Sequence, residues 1–130
     1  MIYGIGIDII DIRRIRRVIN KYGQRFKNKC FHESEIKRSD NKLNSVESFA
    51  KRYAAKEACA KALGTGLAKG VFWKDIEIRN NKFGKPYVVL HKNAKKYLEE
   101  KISKISKIEV SLSDEKNYAI ANIIIFQWIL

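Results

Sequence analysis

SVESFAKRYAAKEACAKAL, from Ser45 to Leu63, is the stretch on which the rest of the fold turns. Its alanine content predicts a long helix, with Ser45 as N-cap and Gly64 as the C-terminal stop. Phe49, Tyr53, Glu57 and Ala60 fall on one face of that helix. Phe49 and Tyr53 are expected to point at a core, so Glu57 shares the packed face. The competing reading is an exposed Glu57–Lys61 pair one turn apart, worth about 0.2–0.5 kcal/mol. Lys51, Arg52, Lys56 and Lys61 are expected to line a solvated face. Cys59, among alanines, is expected to be a buried structural thiol. The GTGLAKG that follows is expected to be a flexible loop whose glycines can present backbone N–H groups to phosphate. It is not a Walker loop, because it lacks GK[ST] and follows a helix instead of preceding one.

Working upstream, Tyr3 to Ile10 in MIYGIGIDII reads as a half-buried strand, with Gly4 and Gly6 allowing close backbone approach. Asp8 is a carboxylate inside this apolar run. It lies either on the solvent face of an edge strand or beside a partner, because burying a lone carboxylate costs several kcal/mol. Asp11 is placed to cap a helix on which Ile12, Ile15, Ile19 and Tyr22 recur. Arg13, Arg14, Arg16 and Arg17 fill its outer face. Cys30 to Asn44 is polar and poorly periodic, and is expected to be short helix and loop.

Downstream, DIEIRNNKFGKPYVVL predicts a hairpin with strands Asp75–Arg79 and Tyr87–Leu90 around the turn NNKFGKP. Asn93 to Lys101 is a third helical segment. Ile108–Leu112 and Tyr118–Phe126 are the last strands, joined by SDEKN. The fold class expected is α+β: an antiparallel sheet packed against a long central helix, with the hairpin and the last two strands supplying most of the sheet. With no internal repeat and no linker, residues 1–130 are expected to form a single domain.

Lys and Arg number 27 against 14 Asp and Glu, a net charge of +13. That implies an anionic partner, whether nucleic acid, a phosphorylated small molecule or an acidic protein. The joint richness in Lys, Ile and Asn leaves the class open. Cys30 and Cys59 have no CxxC neighbours, so neither a disulfide framework nor a thiolate metal site is expected, and a reducing compartment fits. The N-terminus lacks a basic region and the closing IIIFQWIL is far short of a membrane span. A soluble, cytoplasmic protein is expected. Two inward-facing carboxylates on different elements, Asp8 and Glu57, can share one hard cation, and Mg2+ binds through such acids together with substrate phosphates.

GIGIDIIDIRRI, FAKRYAAKEACAKALGTG, DIEIRNNKFGKPYV and the late VSLS followed by YAIA together resemble the holo-acyl-carrier-protein synthases, in that family's order and spacing over nearly the whole chain. The resemblance implies a 4'-phosphopantetheinyl transferase-like fold. It also implies Mg2+-dependent transfer of 4'-phosphopantetheine from coenzyme A to a serine of acyl carrier protein for fatty acid synthesis, with release of adenosine 3',5'-bisphosphate. On this resemblance Asp8 and Glu57 match the magnesium-binding acids, and Lys61 the lysine near the diphosphate. Arg52, Gly64, Thr65 and Gly66 match the stretch lining the coenzyme A site, and Lys85 and Pro86 the turn that closes beside it. Arg14, Val18, Arg25 and Phe26 match the surface that docks acyl carrier protein. A homotrimer with active sites at subunit interfaces is implied, without nucleic acid or membrane as partner.

The chain departs from the pattern at Asp114, where many members carry histidine. An aspartate with an ordinary pKa of about 3.9 is a poor base near neutrality. Proton removal is therefore expected to fall to the metal site, with Glu57 or Lys61 assisting. Two readings compete with the enzyme. A basic RNA-binding module would leave Asp8 and Glu57 unexplained, and a non-catalytic trimer subunit is opposed by the same intact acid pair.

Overall fold

In the computed structural model, residues 1–128 are described; Ile129 and Leu130, the end of the closing apolar run and of the expected domain, lie outside them. The first strand, β1 (Ile2–Asp11), alternates strictly. Gly4, Gly6, Asp8 and Ile10 face inward, while Ile5, Ile7 and Ile9 face outward and stay about 60% exposed (62%, 60% and 61%). A helix α1 (Ile12–Tyr22) follows, capped by the Asp11 carboxylate, which accepts a 2.9 Å bond from the Arg13 amide. A short helix α2 (Gln24–Cys30) comes next, and the stretch from Cys30 to Asn44 expected as short helix and loop holds α3 (Glu33–Asp40).

The long helix, α4 (Ser45–Leu63), is present at the expected length. Its N-cap is Asn44, and Ser45 is the first helical residue. Ser48 turns inward, its hydroxyl 2.8 Å from that of Ser39. Gly64 ends the helix in the left-handed conformation (φ 85°), with its amide bonded to the Ala60 and Lys61 carbonyls. Beyond it run a single turn of 3-10 helix, the hairpin β2 (Ile76–Asn80) and β3 (Pro86–Leu90), then α5 (Lys92–Tyr97) extended by one π-helical turn. The chain closes with β4 (Lys107–Glu115) and β5 (Tyr118–Phe126).

Two sheets form. One has the order β1-β5-β4, antiparallel throughout, with Asp8 opposite Ala121. The hairpin makes a second sheet of its own, which corrects the expectation that it joins the last two strands. β5 has β1 on one edge and β4 on the other, and the hairpin pairs with neither outer strand. The hairpin strands, five residues each, bond to one another instead.

The β1–α4 contact fixes the position of Asp8. A Cβ added at Gly6 would overlap the Ala58 carbonyl oxygen, and one at Gly4 the Ala62 carbonyl oxygen. Backbone therefore lies directly on backbone, with Ala54, Ala58, Ala119 and Ala121 filling the remaining space. Gly6→Ala is expected to push the strand off the helix and destabilise the protein by about 1–3 kcal/mol, read as a lower denaturant midpoint at unchanged slope. An unchanged midpoint would remove the close-approach argument.

On its far side α4 meets α3 and β2, so the helix is enclosed around most of its circumference. This overturns the solvated-face expectation for two of its four cations: Lys56 is fully buried and Arg52 nearly so. The Lys56 ammonium bonds Glu35 Oε1 at 2.8 Å and the carbonyls of Trp73 and Ile76. Glu35 in turn accepts from the amides of His32 and Ile78. One buried ion pair thus joins α3, α4 and β2. Cys59 is buried as expected, and burial pushes its thiol up to about 12.

Candidate active site

Strand alternation and helix periodicity meet at one crevice between β1 and α4. Asp8 faces the helix, with its side chain 17% exposed, which rules out the outer-face reading. One α4 turn separates Glu57 from Lys61, and the Lys61 ammonium lies 3.0 Å from both Asp8 Oδ1 and the Ile7 carbonyl. The pKa of Glu57 is raised, first by burial and next by the negative charge of Asp8, against the pull of Lys61 and Arg14. Burial also raises the Tyr53 hydroxyl, with the same two acids adding to it and Arg14 opposing. Asp8, Glu57, Lys61, Tyr53 and Arg14 therefore form one electrostatic unit. The competing Glu57–Lys61 pair is not the contact made, since the lysine bonds across to the strand.

Two carboxylates, with the charge of Asp8 raising the pKa of Glu57 and the Lys61 ammonium partly offsetting it, are a donor set suited to a hard divalent cation. Both offer only oxygen. Lys61, whose side chain is 52% exposed, can leave Asp8 without disturbing the core.

A second region gathers around Arg52. Its guanidinium bonds the Asn80 side chain and, at 3.3 Å, the Ser48 hydroxyl, while Nε has no partner among the described residues. Burial lowers the Arg52 pKa, and the Glu35 charge works against that. Arg52 and Pro86 line a cavity of about 230 Å³ whose rim carries Arg38, Lys42 and Lys51. Lys85 points elsewhere, paired at 2.8 Å with Glu109 on the surface. Asp114 is tied to Lys51 at 3.1 Å.

The loop after α4 turns through Gly64 and Gly66, both at positive φ, with Thr65 buried between them and its hydroxyl bonded to the Gly66 carbonyl at 2.6 Å. The structure does not bring this loop to Arg52. Twelve residues of helix separate Arg52 from Gly64, about 18 Å. The expected site residues thus fall into an acid centre, a basic cavity and a glycine loop at different points along α4.

Val18, Arg25 and Phe26 line one shallow surface cavity of about 360 Å³ with Tyr22 and Lys29, while Arg14 lies on the same helix nearer Glu57. Sequence reasoning missed Tyr53, which stacks on Trp73 at 4.3 Å beside the acids. Its helical phase, one turn before Glu57, was the available signal.

Comparison with known proteins gives a consistent result. Residues 4–123 match the family model described as the 4'-phosphopantetheinyl transferase superfamily. A holo-[acyl-carrier-protein] synthase of Sinorhizobium fredii is 48% identical over 127 residues, 96% of this chain and 91% of the relative. The crystal structure of a holo-[acyl-carrier-protein] synthase from Neisseria meningitidis superposes with a TM-score of 0.88 at 38% identity, covering 98% of this chain and all of that one. The Helicobacter pylori synthase, solved in complex with coenzyme A, superposes at 0.82 with 31% identity, covering 94% and 99% of the two chains.

Proposed function

Because the chain belongs to the 4'-phosphopantetheinyl transferase superfamily, and within it to the holo-[acyl-carrier-protein] synthases, we propose that it converts apo- to holo-acyl carrier protein for fatty acid synthesis. The 4'-phosphopantetheine arm comes from coenzyme A. The observation that carries the proposal is the meeting of Asp8, Glu57 and Lys61 in one crevice between β1 and α4.

In the reaction, the carrier serine oxygen bonds to the β-phosphorus of coenzyme A. The bond from that phosphorus to the bridging oxygen breaks, and adenosine 3',5'-bisphosphate leaves. Such chemistry depends on positioning and charge neutralisation. Asp8 and Glu57 are the residues that would hold Mg2+, which when bound supplies charge neutralisation and Lewis-acid polarisation of the diphosphate. Lys61, displaced from Asp8, would offset charge on the leaving group. Glu57 or Lys61 would assist removal of the serine proton at the metal site. Arg52, with a buried N–H that has no partner among the described residues, and the rim lysines suit the phosphates of coenzyme A. The loop Gly64–Thr65–Gly66 offers backbone amides, and Pro86, joined by Lys85 once it leaves Glu109, would close beside the cofactor. Asp114, engaged by Lys51, takes no part.

One feature supports a homotrimer with active sites completed between subunits: Ile5, Ile7 and Ile9 form an outward apolar row on β1. A mass near 15.1 kDa in solution, that of a single chain, would contradict the trimer. Both cysteines are free and buried, in keeping with a reducing cytoplasmic setting. No helix among the described residues is long and apolar enough to cross a membrane.

The cationic face of α1 and α2, with Arg14, Val18, Arg25 and Phe26, suits an acidic carrier. Arg14→Glu is expected to weaken carrier binding about tenfold or more at low salt and to spare coenzyme A binding. Equal carrier affinity by titration would remove this surface from the account. The transfer itself is tested by intact-mass analysis of apo-carrier incubated with the protein, coenzyme A and Mg2+. A phosphopantetheine mass increase is expected, and an unmodified carrier would overturn the proposal.

A further inference from the structure

The chain contains two histidines, and the fold carries both to one buried carboxylate. His32 immediately precedes α3, and His91 immediately follows β3. Glu77 lies on β2 between them. The two imidazoles lie side by side, with centroids 4.6 Å apart and planes tilted by 33°. His91 Nε2 is 2.8 Å from Glu77 Oε1. One ligand atom from each of the three residues lies within 4.8 Å of the other two. The Glu77 side chain is 2% exposed and that of His91 31%, so the carboxylate is anchored while the imidazole edge meets solvent.

The surroundings hold these groups in orientation. Glu77 Oε2 accepts from Arg79 Nε at 2.8 Å and from the Ser34 hydroxyl, which leaves Oε1 turned toward the histidines. Burial alone would raise the Glu77 pKa, but the bonds from Arg79, Ser34 and His91 outweigh it and hold the carboxyl at about 2. His32 Nε2 lies 2.5 Å from the Lys74 carbonyl. A carbonyl only accepts, so Nε2 carries a proton, which leaves Nδ1 as the ring's ligand atom. Metal-binding imidazoles are commonly fixed in this way, by a carbonyl on the other ring nitrogen.

We propose that His32, Glu77 and His91 form a second metal site, one that takes a divalent ion of the zinc class with water completing the coordination. Two imidazoles and one carboxylate match three-ligand zinc sites that keep an open position. Imidazole nitrogen also favours zinc over magnesium, whereas Asp8 and Glu57 offer oxygen alone. The two sites therefore select different metals. Binding replaces the His91–Glu77 hydrogen bond and leaves the remaining His91 proton on Nδ1. The ion would tie the start of α3 to both strands of the hairpin whose turn carries Lys85.

Titration of the full chain with zinc chloride, in saturating Mg2+ at neutral pH, is the test. One zinc per chain is expected, with affinity lowered at least tenfold in His32→Gln and in His91→Gln and unchanged in Asp8→Asn. Glutamine keeps a donor for Glu77 or for the Lys74 carbonyl, which protects the fold. Copper(II)-loaded wild-type protein, read by pulsed electron paramagnetic resonance, gives a second answer without substitution: coupling to imidazole nitrogen is expected. No zinc uptake by the wild type, undiminished uptake in the doubly substituted protein, or copper without imidazole coupling would each overturn the proposal.

Discussion

Asp8→Ala and Glu57→Ala are each expected to slow carrier modification by roughly 10²–10³-fold or more, the scale seen when one preorganised electrostatic group is removed from a transition state. The fold should survive, because neither carboxylate anchors the core. Glu57 in particular should cost the metal-free protein stability. Its carboxyl pKa is raised in the folded state by burial and by Asp8. The stability it contributes is therefore full below the unfolded pKa and is lost as pH rises through the folded value. Glu57→Gln without metal should match the parent in acid and unfold at a slightly higher temperature near neutrality, while losing activity. Thermal unfolding in chelator across that range, alongside the intact-mass assay, checks both halves. A neutral-pH unfolding temperature below the parent's, or full turnover in any of these variants, would refute the assignment.

Lys56→Ala is the substitution expected to cost most in stability, about 3–5 kcal/mol, because it strands Glu35 as an uncompensated buried charge. Against a typical domain stability of about 5–15 kcal/mol, that loss is large. It should appear as a lower denaturant midpoint. Lys56→Met combined with Glu35→Leu should recover part of the loss by removing both charges. Recovery should stay incomplete, because the amides of His32 and Ile78 would still lose their acceptor. A single variant as stable as the parent would show that the pair does not hold α3, α4 and β2 together.

How far the sequence could be read depended on the range of each interaction. Local patterns carried the elements: Asp11 as a cap, Gly64 as a stop and the alternation of β1 were all legible, and the helix phase placed Tyr53 and Glu57 correctly. Asp8 was ambiguous because strand alternation does not say which face is covered. Gly4 and Gly6 on its own face, admitting the α4 backbone, supply that answer. Arg52 and Lys56 were misread because a helical pattern cannot show that a second layer lies on the far side. The partner that allows Lys56 to be buried, Glu35, is 21 residues away, and no periodicity links them. The hairpin was recognised, but its separation from the larger sheet is a matter of long-range pairing, which no local pattern records. The convergence of His32 and His91 was equally invisible, since neither falls in a metal-ligand spacing.

The measurement that tests the central claim most directly is a crystal structure of the protein with coenzyme A and Mn2+ in place of Mg2+, read by anomalous scattering. The account predicts a manganese peak bonded to Asp8 and Glu57 and to the diphosphate of the cofactor. Manganese bound elsewhere, or Asp8 and Glu57 turned to bulk solvent in every subunit with coenzyme A in place, would contradict it.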